Sequence, residues 1–305
     1  MPPKAAEELT DLTLLPHPGR PRDHGRRGAN ILTRVRTGRG RSVHFYIDEE
    51  IMLPGRALTK AVAVLYATQG GLGDVGKFAA MHASQREGVN VKVLALSEEG
   101  VEGTDKGFEA DVEDEGARTR LREALEGLEV EKVDVCGEGA QERLEEAFDG
   151  VDAVVACLGN RQAKMARWAG TGAQKVTAAM SSKGVERLVL LSSMGLGKDD
   201  FMPWGAIRFA WALMLRTSLR DVRRDLEAME KAVLESDLDY LVVRTVGIPA
   251  EEEPKGEWGL LRKRGDGPPD GIMMSKSDVA QFMVQEAMEP TLIREEVTIG
   301  KQRGT

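Results

Sequence analysis

Glycines 70, 71, 73 and 76 lie within Tyr66-Ala-Thr-Gln-Gly70-Gly-Leu-Gly73-Asp-Val-Gly76-Lys77, directly after the continuous apolar run Ala61–Ala67. A tight glycine turn between a buried strand and a helix turns backbone N–H groups and the positive helix end toward one point. It also leaves no side chain to block a diphosphate. Thr68, Gln69, Gly70, Gly71, Leu72 and Gly73 are therefore the candidate phosphate-binding residues. An ordinary glycine-rich connection is the alternative, and the position after a strand and before a helix favours the phosphate site.

Other chemistry-bearing residues are sparse. Ser192 and Ser193 end the apolar run Leu188–Leu191, where a hydroxyl can face a ligand or satisfy loop backbone. Cys136 and Cys157 are the only cysteines and share no Cys-x-x-Cys spacing, so neither a disulfide framework nor a structural zinc site is expected, and the compartment reads as reducing. Cys157 closes a strand and reads as a small buried thiol rather than a nucleophile. His17, His24, His44 and His82 show no metal-ligand spacing, so no metal is expected. Tyr46, Tyr66 and Tyr240 are followed four residues later by Glu50, Gly70 and Arg244. No Tyr-x-x-x-Lys pair exists to exchange a proton with a carbonyl.

The elements that must position these residues alternate in type. Ala61–Ala67, Val91–Leu96, Val130–Val135, Val151–Cys157, Leu188–Leu191 and Tyr240–Val246 read as strands. Between them, Leu121, Leu125 and Leu128 form a helical stripe, and helices are expected at about 140–148 and 162–183. Val222, Leu226, Met229 and Val233 mark an amphipathic helix with Glu227 and Glu230 on its polar face. Ser277 is expected to cap a last helix that Pro290 ends, Val297–Ile299 to add an edge strand, and 98–115 to form an exposed insertion. Strand and helix in alternation predict a Rossmann-type α/β fold, a doubly wound parallel sheet with helices on both faces.

Of the 305 residues, 41% are apolar and 30% charged, which suits a globular chain with a substantial core. The net charge of -8 argues against nucleic acid as a partner, and no apolar run is long enough to span a membrane. Residues 1–58 read as an N-terminal extension and 59–305 as the nucleotide-binding domain with a small C-terminal substrate-side part. Arg20, Arg22, Arg26, Arg27, Arg34, Arg36, Arg39 and Arg41 share their stretch with a single acid, Asp23. A flexible or adherent extension, an organelle transit segment and a nucleic-acid arm all fit that composition. The expected location is intracellular and soluble: cytoplasmic, or plastid or mitochondrial if the segment is a transit peptide.

Several segments, in order, resemble the atypical short-chain dehydrogenases with an NAD(P)-binding domain, a group that includes the NmrA-like proteins and the flavin and biliverdin-IXβ reductases. Ala67-Thr-Gln-Gly-Gly-Leu-Gly73 is similar to their Gly-Ala-Thr-Gly-x-x-Gly loop, with Ala67 in place of the first glycine. Val151-Asp-Ala-Val-Val-Ala-Cys-Leu-Gly159 and Gly184-Val-Glu-Arg-Leu-Val-Leu-Leu-Ser-Ser-Met-Gly195 resemble two of their strands. Leu234-Glu-Ser-Asp-Leu-Asp-Tyr-Leu-Val-Val-Arg244 and Met274-Ser-Lys-Ser-Asp-Val-Ala280 match two later motifs. The resemblance spans about residues 61–300.

It implies NAD or NADP as cofactor. Where NADP-binding relatives carry Arg, this chain has Leu96, followed by Ser97, Glu98 and Glu99, so both nucleotides remain open. It further implies that Ser97, Cys157, Leu158, Gly159, Ser192, Thr245, Val246 and Gly247 join the glycine turn around the cofactor, and that Ser193 is the polar, catalytic contact for the acceptor. The expected activity is a reductase passing hydride to a flavin-like or other conjugated small-molecule acceptor. The alternative is a non-catalytic NAD(P)-sensing regulator or assembly scaffold. Residues 201–215, with Met202, Trp204, Phe209, Trp211 and Met214, read as an acceptor pocket, plain core, or a membrane or protein-partner surface.

Overall fold

The computed structural model describes residues 30–36, 42–48, 60–69, 73–95, 130–160, 168–193, 220–245, 258–261 and 274–301, together with isolated positions 116, 119, 123, 126, 128 and 196. The chain divides into two compact units, Met1–Leu58 and Thr59–Thr305. In the first, strand β1 (Asn30–Arg36) pairs antiparallel with β2 (Ser42–Asp48), Leu32 opposite Tyr46. Sequence reasoning expects no strand here, because the interspersed arginines mask the apolar alternation by which a strand is read.

The second unit runs β3 (Lys60–Gln69), α1 (Gly73–Ser84), β4 (Val89–Ala95), β5 (Val130–Lys132), α2 (Ala140–Ala147), β6 (Ala153–Asn160), α3 (Trp168–Lys183) and β7 (Arg187–Ser193). It continues with α4 (Arg220–Leu234), β8 (Asp239–Thr245), β9 (Trp258–Leu261), α5 (Lys276–Met288) and β10 (Glu295–Lys301). One sheet holds these strands in the order β5-β4-β3-β6-β7-β8-β10-β9. Every neighbouring pair is parallel except β10 with β9. The doubly wound α/β fold expected from the alternating elements is thus the fold observed.

Strand alternation divides the core in two. Val62 and Val64 of β3, Cys157 of β6 and Val243 of β8 face one side, where Phe78 of α1 and Met283 of α5 pack. Ala63 and Leu65, Leu158 and Val242 face the other, against Leu144 of α2, Met180 of α3 and Met229 of α4. Both faces of β3 are therefore covered, which is why its residues read as a continuous apolar run rather than an alternating one. Helix α3 lies close to its neighbours because it is rich in small residues: a Cβ on Gly170 would stand 2.8 Å from Cβ of Ala228 on α4.

Four expectations change. Residues 297–299 do not form an edge strand: β10 is internal, paired with β8 on one side and β9 on the other. The third strand is only Val130–Lys132, beside the upper part of β4. The cap of α5 is Ser275, not Ser277: Ser275 Oγ accepts from Asp278 N at 2.9 Å and donates to Asp278 Oδ2 at 2.8 Å. Ser277 is two residues into the chain beyond it, and its Oγ meets His82 Nε2 of α1 at 2.9 Å instead. Finally, Glu230 is not on a solvated face but is 3% exposed.

At the amino-terminal edge of the sheet, buried Arg187 donates Nη1 to the carbonyls of Asp239 (3.1 Å) and Leu292 (2.9 Å), and Nη2 to that of Glu286 (2.8 Å). The Glu286 carboxylate in turn accepts from the backbone N–H of Thr291 and Leu292. This pair ties the end of α5 and the turn before β10 to the sheet. It leaves the carboxyl ends of the strands as the edge where a ligand site can form.

Candidate functional site

The direction of strand addition reverses at β3. From β3 the chain moves through β4 to β5, then returns to β6 on the opposite side and continues to β7 and β8. At such a switch point the connections leave the carboxyl ends in opposite directions and open a crevice. Helix α1 begins there, at Gly73, after β3 ends at Gln69. Its first-turn N–H groups have no partner within the helix, so this end carries the chemistry to hold a diphosphate. The residues present fit such a group, with glycine at the first helical position.

Register fixes which residues share this edge. Thr68 lies beside Gly159 and Gln69 beside Asn160, while Ser193 lies beside Thr245. The β6–β7 ladder stops at Ala156 and Leu190. Beyond that point, Cys157–Asn160 pair with β3 and Leu191–Ser193 with β8, so the last turns of the sheet belong to two separate strand pairs. Of the expected site residues, Thr68, Gln69, Gly73, Cys157, Leu158, Gly159, Ser192, Ser193 and Thr245 are brought to this one edge. Gly70, Gly71, Leu72, Ser97, Val246 and Gly247 lie outside the described residues, as do the 201–215 segment and the insertion at 98–115.

Side chains along this row alternate between the two faces. The Cys157 thiol is buried among the residues under α1 and α5, and burial pushes its pKa up to about 12. At neutral pH it is a thiol, with no nucleophilic thiolate to offer. Leu158 turns to the opposite core. Ser192 also turns that way, where its hydroxyl donates to Glu230 Oε1 at 2.6 Å. Arg244 meets the same carboxylate with two bonds, Nε to Oε1 at 2.9 Å and Nη2 to Oε2 at 2.8 Å, and Nη2 also pairs with Glu296 of β10. Glu230 was missed by sequence reasoning, since its position on α4 fits the polar stripe. The only available signal was Arg244, a cation inside an otherwise apolar strand, which must find a buried partner.

A second carboxylate on α4 has a comparable task. Asp225, 5% exposed, accepts from Ala169 N and Gly170 N, each at 2.9 Å, and so caps α3 from a neighbouring helix. Helix α4 itself, Arg-Asp-Val-Arg-Arg-Asp-Leu-Glu-Ala-Met-Glu-Lys-Ala-Val-Leu, carries no tyrosine. A cleft of about 890 Å3 opens elsewhere, along β4 and β5, and its lining includes Val91, Lys92, Leu128 and Val130 but no residue of the carboxyl-end row. It is separate from the site described.

The fold and this edge define an open α/β protein of the dinucleotide-binding class. The chain belongs to the NAD(P)H-binding family, whose model matches residues 70–290. This agrees with the resemblance to NAD(P)-binding short-chain dehydrogenases drawn from the motifs. No curated protein matches the chain. Among solved structures it is similar in fold to a short-chain dehydrogenase/reductase from Veillonella parvula (15% identity, 80% of this chain and 94% of that one, TM-score 0.56). It is also similar to another from the same organism, solved in complex with NADP (13%, 79% and 94%, TM-score 0.53). An oxidoreductase from Lactococcus lactis shares the fold as well (18%, 79% and 92%, TM-score 0.53). Among the described residues, no helix is long and apolar enough to cross a membrane, and no cluster of His, Cys, Asp and Glu is suited to a metal.

Proposed function

We propose that the chain binds a reduced nicotinamide dinucleotide across the carboxyl ends of β3, β6, β7 and β8 and serves as a reductase of a flavin-like or other conjugated small-molecule acceptor. The observation that carries this reading is the split of the sheet beyond Ala156 and Leu190, next to the helix end at Gly73. A diphosphate held at the helix end directs the rest of a dinucleotide along that split. In this reading Thr68, Gln69, Gly70, Gly71, Leu72 and Gly73 hold the diphosphate and Ser97 meets the adenosine ribose. Cys157, Leu158 and Gly159 form one wall, and Thr245, Val246 and Gly247 the other, with Ser192 contributing main chain.

The nucleotide, when bound, supplies the hydride. The chain's own residues supply position: they hold two planar rings in contact and exclude water between them, which is catalysis by proximity. Ser193 is the polar contact for the acceptor. The sequence has no Tyr-x-x-x-Lys pair and Cys157 is held as a thiol, and in this reading solvent is able to supply the proton an acceptor requires.

Titration calorimetry with NAD, NADH, NADP and NADPH, followed by stopped-flow oxidation of the tighter reduced nucleotide by FMN, FAD and quinones, tests the reading and chooses between the two cofactors. Binding with turnover is expected, and Gly73→Val should lose binding while the protein stays folded. Tight binding with no turnover for any acceptor would support the second reading, a nucleotide-sensing regulator, which the missing Tyr-x-x-x-Lys pair also suits. Failure to bind any of the four would remove both.

A further inference from the structure

We infer that Glu230 is a positioning residue for the nicotinamide half of the site, acting through Ser192 and Arg244; this rests on the cofactor placement proposed above. Ser192 and Arg244 are register partners on β7 and β8, and the next pair up the ladder is Ser193 and Thr245. One carboxylate oxygen, Glu230 Oε1, accepts from both Ser192 Oγ and Arg244 Nε. The clamp therefore closes across the two strands one residue below the pair assigned to the cofactor and acceptor.

Alternation makes this arrangement directional. Because Ser192 and Arg244 are held toward α4, Ser193 and Thr245 must project to the opposite face of the sheet. Above Ala156 and Leu190 no ladder joins β6 to β7, so at this height the β7–β8 pair has no backbone hydrogen bonds to the β3–β6 pair. Glu230 and Glu296 supply support from α4 and β10 instead, through the one guanidinium of Arg244. All three members, Ser192 at 6%, Glu230 at 3% and Arg244 at 2% exposure, are taken out of water. A buried ion pair of this kind often adds little to stability relative to apolar packing, so fixing one geometry is the better account of its presence.

Such a device acts on one half of the ligand only, which sets its test. Fluorescence and calorimetric titrations of the full chain compare NADH and NADPH with ADP-ribose and its 2′-phosphate, which lack the nicotinamide. Ser192→Ala should weaken the preferred reduced nucleotide about tenfold and leave the matching ADP-ribose compound unchanged, and Ser192→Thr, which keeps the hydroxyl, should restore it. Glu230→Gln, which preserves volume and removes the charge, should act in the same direction as Ser192→Ala. Equal weakening of both ligands, or of neither, would overturn the inference while leaving the binding site itself in place. A wild-type chain that binds neither ligand would overturn the cofactor placement, and the inference with it.

Discussion

His82 offers a direct test of how α1 and α5 are held together. It lies in the last turn of α1, largely withdrawn from water, with Nε2 2.9 Å from Ser277 Oγ. Burial lowers its pKa from 6.5 to about 4, outweighing the hydrogen bond from Ser277 and the charge of Asp278, which raise it, while the charge of Arg86 adds to the lowering. The folded form binds its proton less readily than the unfolded chain. Between these two values the unfolded state carries more protons, so stability rises with pH through this window and is lost as pH falls from about 6.5 toward 4. Lowering the pH from 7.5 to 5.0 should therefore remove about 2 kcal/mol through this residue alone. Urea unfolding at both pH values, in the wild type and in His82→Gln, isolates the contribution, because other acid-sensitive groups are common to both. The wild type should lose about 2 kcal/mol more than the variant over this interval. Equal losses would show that His82 is as easily protonated in the folded chain as in the unfolded one, and the reasoning would fail.

Two further outcomes follow from buried groups away from that interface. Asp225→Ala leaves the N–H groups of Ala169 and Gly170 without their acceptor and should cost about 3 kcal/mol in urea unfolding, with Asp225→Asn losing less; a loss below about 1 kcal/mol would mean that the cap across helices is not holding α3. In the native chain at pH 8, a thiol reagent should modify Cys136, which is half-buried, while Cys157 reacts only after unfolding. Equal native reaction rates would refute the sealed environment assigned to Cys157.

Much of the fold was legible in the chain because it rests on local patterns. A strand buried on both faces is an uninterrupted apolar run, as in Ala61–Leu65, and an amphipathic helix repeats its apolar residues at spacings of three and four, as Met229 and Val233 do. The last helix was placed correctly but its cap was not, because Ser275 and Ser277 both precede or open it and only geometry shows which hydroxyl reaches Asp278 N. In the same way Val297–Ile299 announced a strand, but its neighbours β8 and β9 are set by the path of the chain, not by those residues.

The sequence by itself determined the alternation of the parallel strands with helices from β3 onward and the NAD(P)H-binding family, since these depend on residue type and spacing along the chain. Only the tertiary structure decided that Glu230 and Asp225 face inward, and that the β6–β7 ladder ends before the strands do. Helical periodicity treats any carboxylate as a solvated residue. Glu230 is instead satisfied by Arg244, fourteen positions away on β8, and Asp225 by backbone donors of another helix. The free energy that makes those burials possible comes from partners that meet only once the sheet and its helices have closed.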